Sequence, residues 1–196
     1  MSPVIPIRAE AAGCSDVRPL VERAGLVGAD GPTHHGAFDL SYTLCIPNMV
    51  IATPANEREC RQLLTACYEH PGPALVRYPR GSGTGTVPEM DLTALPIGKG
   101  EITRHGEKIA FLAFGSLLAS AETLGEAFNA TVANMRFAKP LDLALLENVA
   151  KSHDFIVTFE ENAIAGGAGS EVEHALQSLN HHRPCLRIGL PDAFIE

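Results

Sequence analysis

Residues 48–79 read NMVIATPANERECRQLLTACYEHPGPALVRYP. Continuous apolar runs, typical of buried strands, flank a segment with the hydrophobic period of a helix. The apolar runs 48–53 and 73–78 each stop at a proline and predict two strands. Asn56 is a good N-cap for a helix between them. The apolar positions after this cap have helical spacing, namely Cys60, Leu63, Leu64 and Cys67. Two strands joined by a helix of this length pair in parallel through a right-handed crossover, so the stretch predicts an α/β fold.

Further segments extend the same alternation on both sides. Upstream, residues 24–29 predict a short strand that ends in a glycine turn, and a weak helical segment at 16–22 precedes it. Residues 101–103 and 108–114 predict a β-hairpin that turns at 104–106. The remaining periodic segments predict helices at 117–128, 141–150 and 170–180 and strands at 131–135, 155–159 and 185–188.

A change of composition divides the chain into two α/β units. Residues 81–98 (GSGTGTVPEMDLTALPIG) are rich in Gly, Pro, Ser and Thr and lack a hydrophobic period, which predicts a linker. The unit before the linker offers only a few strands, so we expect an incomplete parallel sheet with an exposed edge. The unit after the linker has enough strands and helices for most of a second α/β domain.

Composition narrows the function classes. The 196 residues carry a net charge of −8 without a basic stripe, which excludes a nucleic-acid binder. No apolar run approaches the length of a membrane span, and the first residues lack the pattern of a secretory signal. The cysteines lack CxxC spacing and indicate reduced thiols in a cytoplasmic protein; they are Cys14, Cys45, Cys60, Cys67 and Cys185.

The loop at residues 27–39 (VGADGPTHHGAFD) places an acid and two imidazoles after a predicted strand. Open α/β sheets bind ligands at the carboxyl ends of their strands. Asp30 is suited to accept hydrogen bonds from a sugar hydroxyl, and His34 is suited to donate to an oxyanion or to transfer a proton. The alternative interpretation is a surface turn at Asp30-Gly31 followed by solvated histidines.

Two arginines lie directly before or after predicted strands of the first unit. Arg23 precedes the first strand, and Arg80 follows the strand at 73–78. If both strand ends meet in one crevice, the guanidiniums suit a phosphate or a carboxylate, and each charge-assisted bond contributes about 1.5–3 kcal/mol. Taken singly, a surface position is the simpler interpretation of each arginine.

Other charged and glycine-rich motifs have simpler structural interpretations. The loop 161–170 (ENAIAGGAGS) resembles a phosphate-binding nest, but it matches neither GxGxxG nor the Walker pattern and favours a domain-interface turn. Glu160 and Glu161 end a predicted strand, where solvated carboxylates are favoured over an acid–base pair. His181 and His182 follow a helix end, where positive charge is favourable without a metal.

Several stretches occur in a fixed order along the chain: RAGLVGADGPTHHGAFDLSY, CIPNMVIATPANERECRQLL, GPALVRYPRG, LPIGKGEI, MRFAKPLD, EENAIAGGAGSEV and IGLPDAFI. Taken together, they resemble the 1-deoxy-D-xylulose-5-phosphate synthase family, which consists of thiamine-diphosphate-dependent relatives of transketolase. The resemblance runs from about residue 21 to the end of the sequence, whereas residues 1–20 form an unmatched leader.

This resemblance implies a reaction that condenses pyruvate with glyceraldehyde 3-phosphate with loss of carbon dioxide and supplies isoprenoid, thiamine and pyridoxal synthesis. The implied cofactors are thiamine diphosphate and Mg²⁺, and the implied assembly is a homodimer. Residues 21–80 are then the second half of the pyrimidine-binding domain. Residues 81–98 are the linker, and residues 99–196 are the transketolase C-terminal domain, truncated at its end.

The resemblance also implies roles for individual residues. His34, in the THxG stretch, corresponds to the active-site histidine, which lies at the cofactor and assists proton transfer at the carbonyl. Asp30 corresponds to the acid that contacts substrate hydroxyls. Arg23 in RAG and Arg80 in YPRG correspond to the pair that binds the phosphate of glyceraldehyde 3-phosphate. His35 has no implied role and remains a loop residue.

The sequence departs from the family at the cofactor-binding motifs. It has neither the GDG…N motif for the diphosphate and metal nor a GIAEQ-like stretch with the activating glutamate. We therefore expect a fragment that is inactive alone and active only with the N-terminal domains or a complementing subunit. The alternatives are a non-catalytic assembly module, or part of another enzyme of this fold, such as transketolase or the β-type subunit of a 2-oxo-acid dehydrogenase E1.

Overall fold

The computed structural model describes residues 20–88, 90 and 92–195, which form two α/β units built on two sheets. The strands are β1 (Leu20–Ala24), β2 (Val50–Ala52), β3 (Ala74–Pro79), β4 (Glu101–Arg104), β5 (Ile109–Ala113), β6 (Thr131–Asn134), β7 (Phe137–Lys139), β8 (Phe155–Ala163) and β9 (Cys185–Leu190). The helices are α1 (Asp39–Thr43), α2 (Glu57–Glu69), α3 (Leu118–Phe128), α4 (Leu143–Ser152) and α5 (Ala168–Ser178). None of the helices in these residues combines the length and the apolarity that a membrane crossing requires.

The first sheet has the strand order β1-β3-β2-β7. Its first three members run parallel, with Leu20 paired to Val76 and Ile51 paired to Leu75. Helix α2 connects β2 to β3 across one face of this sheet. The predicted strand–helix–strand unit at residues 48–79 and the α/β fold class are therefore confirmed.

The predicted N-cap of α2 is also confirmed. Asn56 Oδ1 accepts the Glu59 amide hydrogen at 2.9 Å, and the Glu59 carboxylate accepts the Ala55 amide hydrogen at 2.7 Å. These bonds satisfy backbone donors that a helix start leaves free. Leu63 and Cys67 lie fully inside, in the apolar cluster between α2 and the sheet. In the described part of the chain, the cysteines outside any disulfide are Cys45, Cys60, Cys67 and Cys185.

The strand predicted at residues 24–29 is wrong in position, because β1 ends at Ala24. Gly25 has a φ of 71°, which turns the chain out of the sheet, and a 3₁₀ turn then covers Gly28–Asp30. Arg23 consequently lies within β1 and not before the first strand. The helical segment predicted at 16–22 is wrong for residues 20–22, which are in β1, and its first residues lie outside the described part.

The second sheet has the order β4-β6-β5-β8-β9 and is parallel except between β4 and β6. The predicted hairpin is therefore wrong, because β6 lies between β4 and β5. Its turn bonds to the start of β6 instead: Gly106 N–H donates to the Thr131 hydroxyl at 2.9 Å. The other predicted elements of this unit agree within about two residues at each end, apart from β8, which continues to Ala163.

Strand β7, which the sequence analysis missed, joins the two units. It pairs antiparallel with β2, so a piece of the second unit extends the sheet that was expected to be incomplete. Phe137 in β7 is fully buried, and Lys139 Nζ donates to the Leu44 and Ile46 carbonyls at 2.8 and 2.6 Å. One buried apolar cluster contains side chains of both units, so their mutual orientation is fixed by a shared core.

Candidate functional site

Two predicted site residues lie where two parallel strands of the first sheet end. β1 and β3 are neighbours, and Ala24 is paired with Pro79, so the chain leaves both strands at the same edge. Arg23 is the penultimate residue of β1, and Arg80 follows β3 directly. The structure therefore brings both guanidiniums to one edge of the sheet.

Asp30 joins these two arginines from the 3₁₀ turn after β1. Its Oδ2 lies 3.5 Å from Arg23 Nη1 and also forms an ion pair with Arg80 Nη1. The Arg23 and Arg80 side chains remain 43% and 54% exposed, and that of Asp30 is 24% exposed. We call these three residues the arginine cluster. Because one carboxylate faces two guanidiniums, the cluster keeps a net positive charge open to solvent.

His34 lies one turn further along the same loop. Its backbone N–H donates to the Gly31 carbonyl at 3.0 Å, and its ring Nδ1 lies 3.0 Å from the Thr33 hydroxyl. Among the described residues, no hydrogen bond joins its ring to the arginine cluster. In the adjacent His35, Nδ1 accepts the Val27 N–H at 2.9 Å, which places the ring hydrogen of the neutral form on Nε2. His35 therefore stabilises the loop from within.

The loop that carries the predicted site residues is closed at its base. Gly25 and Gly36 exchange both backbone hydrogen bonds, at 3.3 and 2.9 Å. A Cβ at Gly36 would overlap the Arg23 carbonyl, so this approach requires a residue without a side chain. We call residues 25–36 the site loop.

Arg77, which the sequence analysis did not single out, holds the end of the site loop. Its side chain is 5% exposed on β3. Nη2 donates to the Gly36 carbonyl at 2.6 Å and to the Glu161 carbonyl at 2.8 Å, and Nε lies 3.4 Å from the Asp39 carboxylate. A charged residue in an otherwise apolar strand requires such partners, so its place in PALVRY was a usable signal.

The prediction of a solvated carboxylate is wrong for Glu160, whereas Glu161 is only partly buried. β8 continues past both residues, and Glu160 is only 1% exposed. Its carboxylate accepts the amide hydrogens of Ala168 and Gly169, in the first turn of α5, at 2.7 and 2.9 Å. The nest that resembles a phosphate site is thus filled by a carboxylate of the chain itself.

Burial raises the pKa of Glu160 from its usual 4.5 to about 7. The amides of Gly169 and Ala168 and the charges of Arg77 and Arg187 lower this pKa, but less than burial raises it. The loss of hydration therefore exceeds the stabilisation that these donors give to the ionised form.

The loop after β8 is a domain-interface turn, as predicted. Ala163 N–H donates to the Ala37 carbonyl at 2.6 Å, and the Ser41 hydroxyl donates to the Ala165 carbonyl at 2.8 Å. The Asn162 side chain, fully buried, also accepts the Leu40 N–H at 3.0 Å. These bonds fasten the second unit to the segment that follows the site loop.

The chemistry available at the strand ends is that of guanidinium, carboxylate and imidazole groups. Such groups bind phosphate esters, accept hydrogen bonds from hydroxyls and transfer protons. Among residues 20–88, 90 and 92–195, no group of three or more His, Cys, Asp or Glu side chains is arranged to hold a metal ion.

Two family models match the chain. "Transketolase, pyrimidine binding domain" matches residues 6–85, and "Transketolase, C-terminal domain" matches residues 98–196. The 1-deoxy-D-xylulose-5-phosphate synthases of Aromatoleum aromaticum and Vibrio vulnificus are 61% and 59% identical over 90% and 89% of this chain. The chain spans only 28% of the length of each of these curated relatives.

A solved structure described as "Split gene transketolase, inactive beta4 tetramer" has the same fold. It superposes with a TM-score of 0.81 at 30% sequence identity, over 92% of this chain and 59% of that chain. The site loop and the arginine cluster lie in the part matched by the pyrimidine-binding model, and Glu160 lies in the part matched by the C-terminal model. The C-terminal model alone spans about half of the sequence, and the chain belongs to the transketolase family.

Proposed function

We propose that this chain is part of a 1-deoxy-D-xylulose-5-phosphate synthase, a transferase that condenses pyruvate with glyceraldehyde 3-phosphate and releases carbon dioxide. The observation that carries the proposal is the arginine cluster, in which two partly exposed guanidiniums flank Asp30 at neighbouring strand ends. The high identity to curated synthases supports the same reaction. Its product is a precursor for isoprenoid, thiamine and pyridoxal synthesis.

The arginine cluster suits the phosphate of the aldehyde substrate. A phosphate dianion has three terminal oxygens and accepts hydrogen bonds from two guanidiniums at once. Each such bond contributes about 1.5–3 kcal/mol, nearer the lower figure where the arginine is half exposed. The substrate is then fixed by the end remote from its reacting carbonyl, which supplies orientation for the bond-forming step.

Two further residues of the site loop act on the same substrate in this proposal. Asp30 orients both guanidiniums and accepts a hydrogen bond from a substrate hydroxyl through its other oxygen. His34 takes part in proton transfer at the carbonyl, since imidazole exchanges protons near neutral pH. The closed base of the loop restricts how far the carboxylate and the imidazole can move relative to each other.

Thiamine diphosphate with Mg²⁺ supplies the carbanion chemistry of this reaction when bound. The described residues do not fit the metal–diphosphate end of the cofactor, since they offer no group of metal ligands. We propose that N-terminal domains or a complementing subunit bind that end. This chain contributes the second half of the pyrimidine-binding domain at 21–80 and most of the C-terminal domain at 99–196. The complete assembly is a homodimer.

A non-catalytic assembly module is the second candidate. The solved neighbour is described as an inactive tetramer. In this chain β9 ends the second sheet, with Leu186 and Ile188 51% and 41% exposed, and an apolar edge of this kind suits a second copy. Light scattering of a compact, stable monomer would count against this candidate.

Complementation tests the proposed reaction. The chain is mixed with the part of the Aromatoleum aromaticum relative that it does not cover, together with thiamine diphosphate and Mg²⁺. We expect 1-deoxy-D-xylulose 5-phosphate from the mixture and none from the chain alone. Arg80→Gln should lower kcat/KM about tenfold or more. Lys151→Gln, which removes a lysine that is 62% exposed on α4, is the control and should leave the rate unchanged.

Two results of this experiment would contradict the proposal. One is a mixture of folded polypeptides that forms no product, and the other is equal activity of Arg80→Gln and the control variant. Transfer of the acyl group to lipoamide, without reaction with glyceraldehyde 3-phosphate, would assign the chain to the β-type subunit of a 2-oxo-acid dehydrogenase E1.

A further inference from the structure

The Glu161 carboxylate reaches from β8 to the site loop of the other unit. Its Oε1 accepts the Leu26 N–H at 3.1 Å, and its Oε2 accepts the Ser116 hydroxyl, in the turn after β5, at 3.2 Å. The backbone carbonyl of Glu161 accepts a hydrogen bond from Arg77 Nη2 at 2.8 Å. One residue of the second unit thus bonds the start of the site loop and the arginine that holds its end.

The contact between Glu161 and the site loop leaves no room for a side chain at Gly25. A Cβ there would overlap the Glu161 carboxylate. Gly28 also has a positive φ, of 56°, but faces open space. Glycine at position 25 therefore serves the approach of Glu161 as well as the turn, whereas glycine at position 28 serves the turn alone.

The site loop is consequently tied at both ends. Arg77 holds the Gly36 carbonyl, and Glu161 holds the Leu26 N–H. Asp30 lies between these two points and is the residue that gathers Arg23 and Arg80. A shift of the loop base of about 1 Å is enough to misplace a reacting group, so the position of Asp30 depends on both ties.

We propose that Glu161 is a positioning residue: from the second unit it fixes the start of the site loop, and thereby sets the geometry of the arginine cluster. Its action on the loop is independent of what the cluster binds. Its effect on the affinity for a phosphate rests on the proposed function.

Hydrogen–deuterium exchange of the 196-residue chain tests the action on the loop. Glu161→Ala removes both side-chain bonds, and we expect the amides of residues 26–35 to exchange about tenfold faster. Glu161→Gln retains an acceptor for the Leu26 N–H and should restore most of the protection. Glu107→Gln makes the same change of charge at an exposed position at the amino end of β5 and is the control.

A second pair of variants tests the contact from the loop side. Gly25→Ala and Gly28→Ala both place alanine at a positive φ and share that strain. Only Gly25→Ala displaces the Glu161 carboxylate, so we expect it to shift the NMR signals of residues 115–117. Gly28→Ala should leave those signals in place. Because the strain is common to both variants, the difference reports the contact itself.

Two results would overturn the positioning role. One is equal exchange of residues 26–35 in folded Glu161→Ala and Glu107→Gln, and the other is identical signals at residues 115–117 in Gly25→Ala and Gly28→Ala. Binding of inorganic phosphate tests the consequence for the arginine cluster. We expect Glu161→Ala to weaken it about threefold, with partial recovery in Glu161→Gln.

The two proposals fail in distinguishable ways. Faster loop exchange with unchanged phosphate affinity would support the action of Glu161 on the loop and overturn its link to the cluster. A wild-type chain that binds no phosphate and forms no product on complementation would overturn the proposed function. The exchange experiment would still decide the role of Glu161, since it needs no substrate.

Discussion

Asp30 and Glu160 are both carboxylates near the carboxyl ends of parallel strands, yet their surroundings differ. Asp30 is 24% exposed and faces two guanidiniums that are themselves 43% and 54% exposed. Glu160 is 1% exposed and accepts two amide hydrogens from the start of α5. The arginine cluster leaves donor groups open to solvent, whereas the loop after β8 uses its donors internally.

This difference is the one expected between a proposed binding site and a structural anchor. An acid followed by a glycine-rich loop occurs in both regions, so the motif alone does not distinguish them. What distinguishes them is whether positive groups remain available to an outside anion. In the first region they do, and in the second the chain provides its own anion.

The largest effect should separate the buried Arg77 in β3 from the partly exposed Arg80 just after it. Arg77→Met leaves the Asp39 carboxylate and two carbonyls without their partner, and we expect the free energy of unfolding to fall by about 3–5 kcal/mol. Arg80→Met, one residue beyond β3, should change it by about 0.5 kcal/mol or less. Urea unfolding of both variants gives the comparison. A loss below about 1 kcal/mol in Arg77→Met would contradict the role assigned to this residue.

The next effect concerns pH and Glu160. Its pKa is raised to about 7, so the folded state binds more protons than the unfolded state, and its contribution to stability is full below pH 4.5 and lost as the pH rises through 7. We expect the free energy of unfolding to fall by about 3 kcal/mol between pH 4.5 and 7 because of this group. Glu160→Gln should remove this slope, measured by urea unfolding below and above the range.

Glu171→Gln, on helix α5, whose first turn donates to Glu160, is the matched control for Glu160→Gln. It should retain the dependence of stability on pH that the wild-type chain shows. If Glu160→Gln and Glu171→Gln give the same slope, the burial of an unfavourable carboxylate at position 160 is not its cause.

The smallest effect concerns the net charge of the arginine cluster, which Asp30→Asn makes more positive. Asp30→Asn removes the internal anion but keeps a side-chain oxygen that can accept from the guanidiniums and hold them in place. Inorganic phosphate should therefore bind about fivefold tighter at low ionic strength, and the gain should shrink as salt is added. Titration calorimetry measures both the phosphate affinity and its dependence on salt. Weaker phosphate binding in Asp30→Asn would contradict this prediction, because it would show that the negative charge of Asp30, and not only its oxygen acceptor, is needed to position the guanidiniums.

Sequence patterns predicted the elements whose signals are local. Helix α2 follows from the Asn56 cap and the apolar positions after it, and the capping bond is present at 2.9 Å. Strand β7 has only three residues and gives no period, and its partner β2 lies far away in the sequence. The hairpin prediction failed because neighbours in sequence need not be neighbours in a sheet when a later strand pairs between them.

The candidate site shows the same division between local and distant signals. The strand-end argument held for Arg80, which follows β3. Arg23 reaches the same edge only because β1 ends at Ala24, where the sequence predicted a strand to begin. The burial of Glu160 and the contacts of Glu161 depend on how the second unit packs on the first, which no local pattern encodes. A charge inside an apolar strand, as at Arg77, is the one signal that was present and not used.

Titration of the chain with glyceraldehyde 3-phosphate, followed through the guanidinium NMR signals of Arg23 and Arg80, tests the central claim most directly. The account predicts that both signals shift, that non-phosphorylated glyceraldehyde shifts neither, and that Arg80→Gln lowers the affinity about tenfold. Unmoved signals in the wild-type chain, or equal affinity for the two aldehydes, would contradict it.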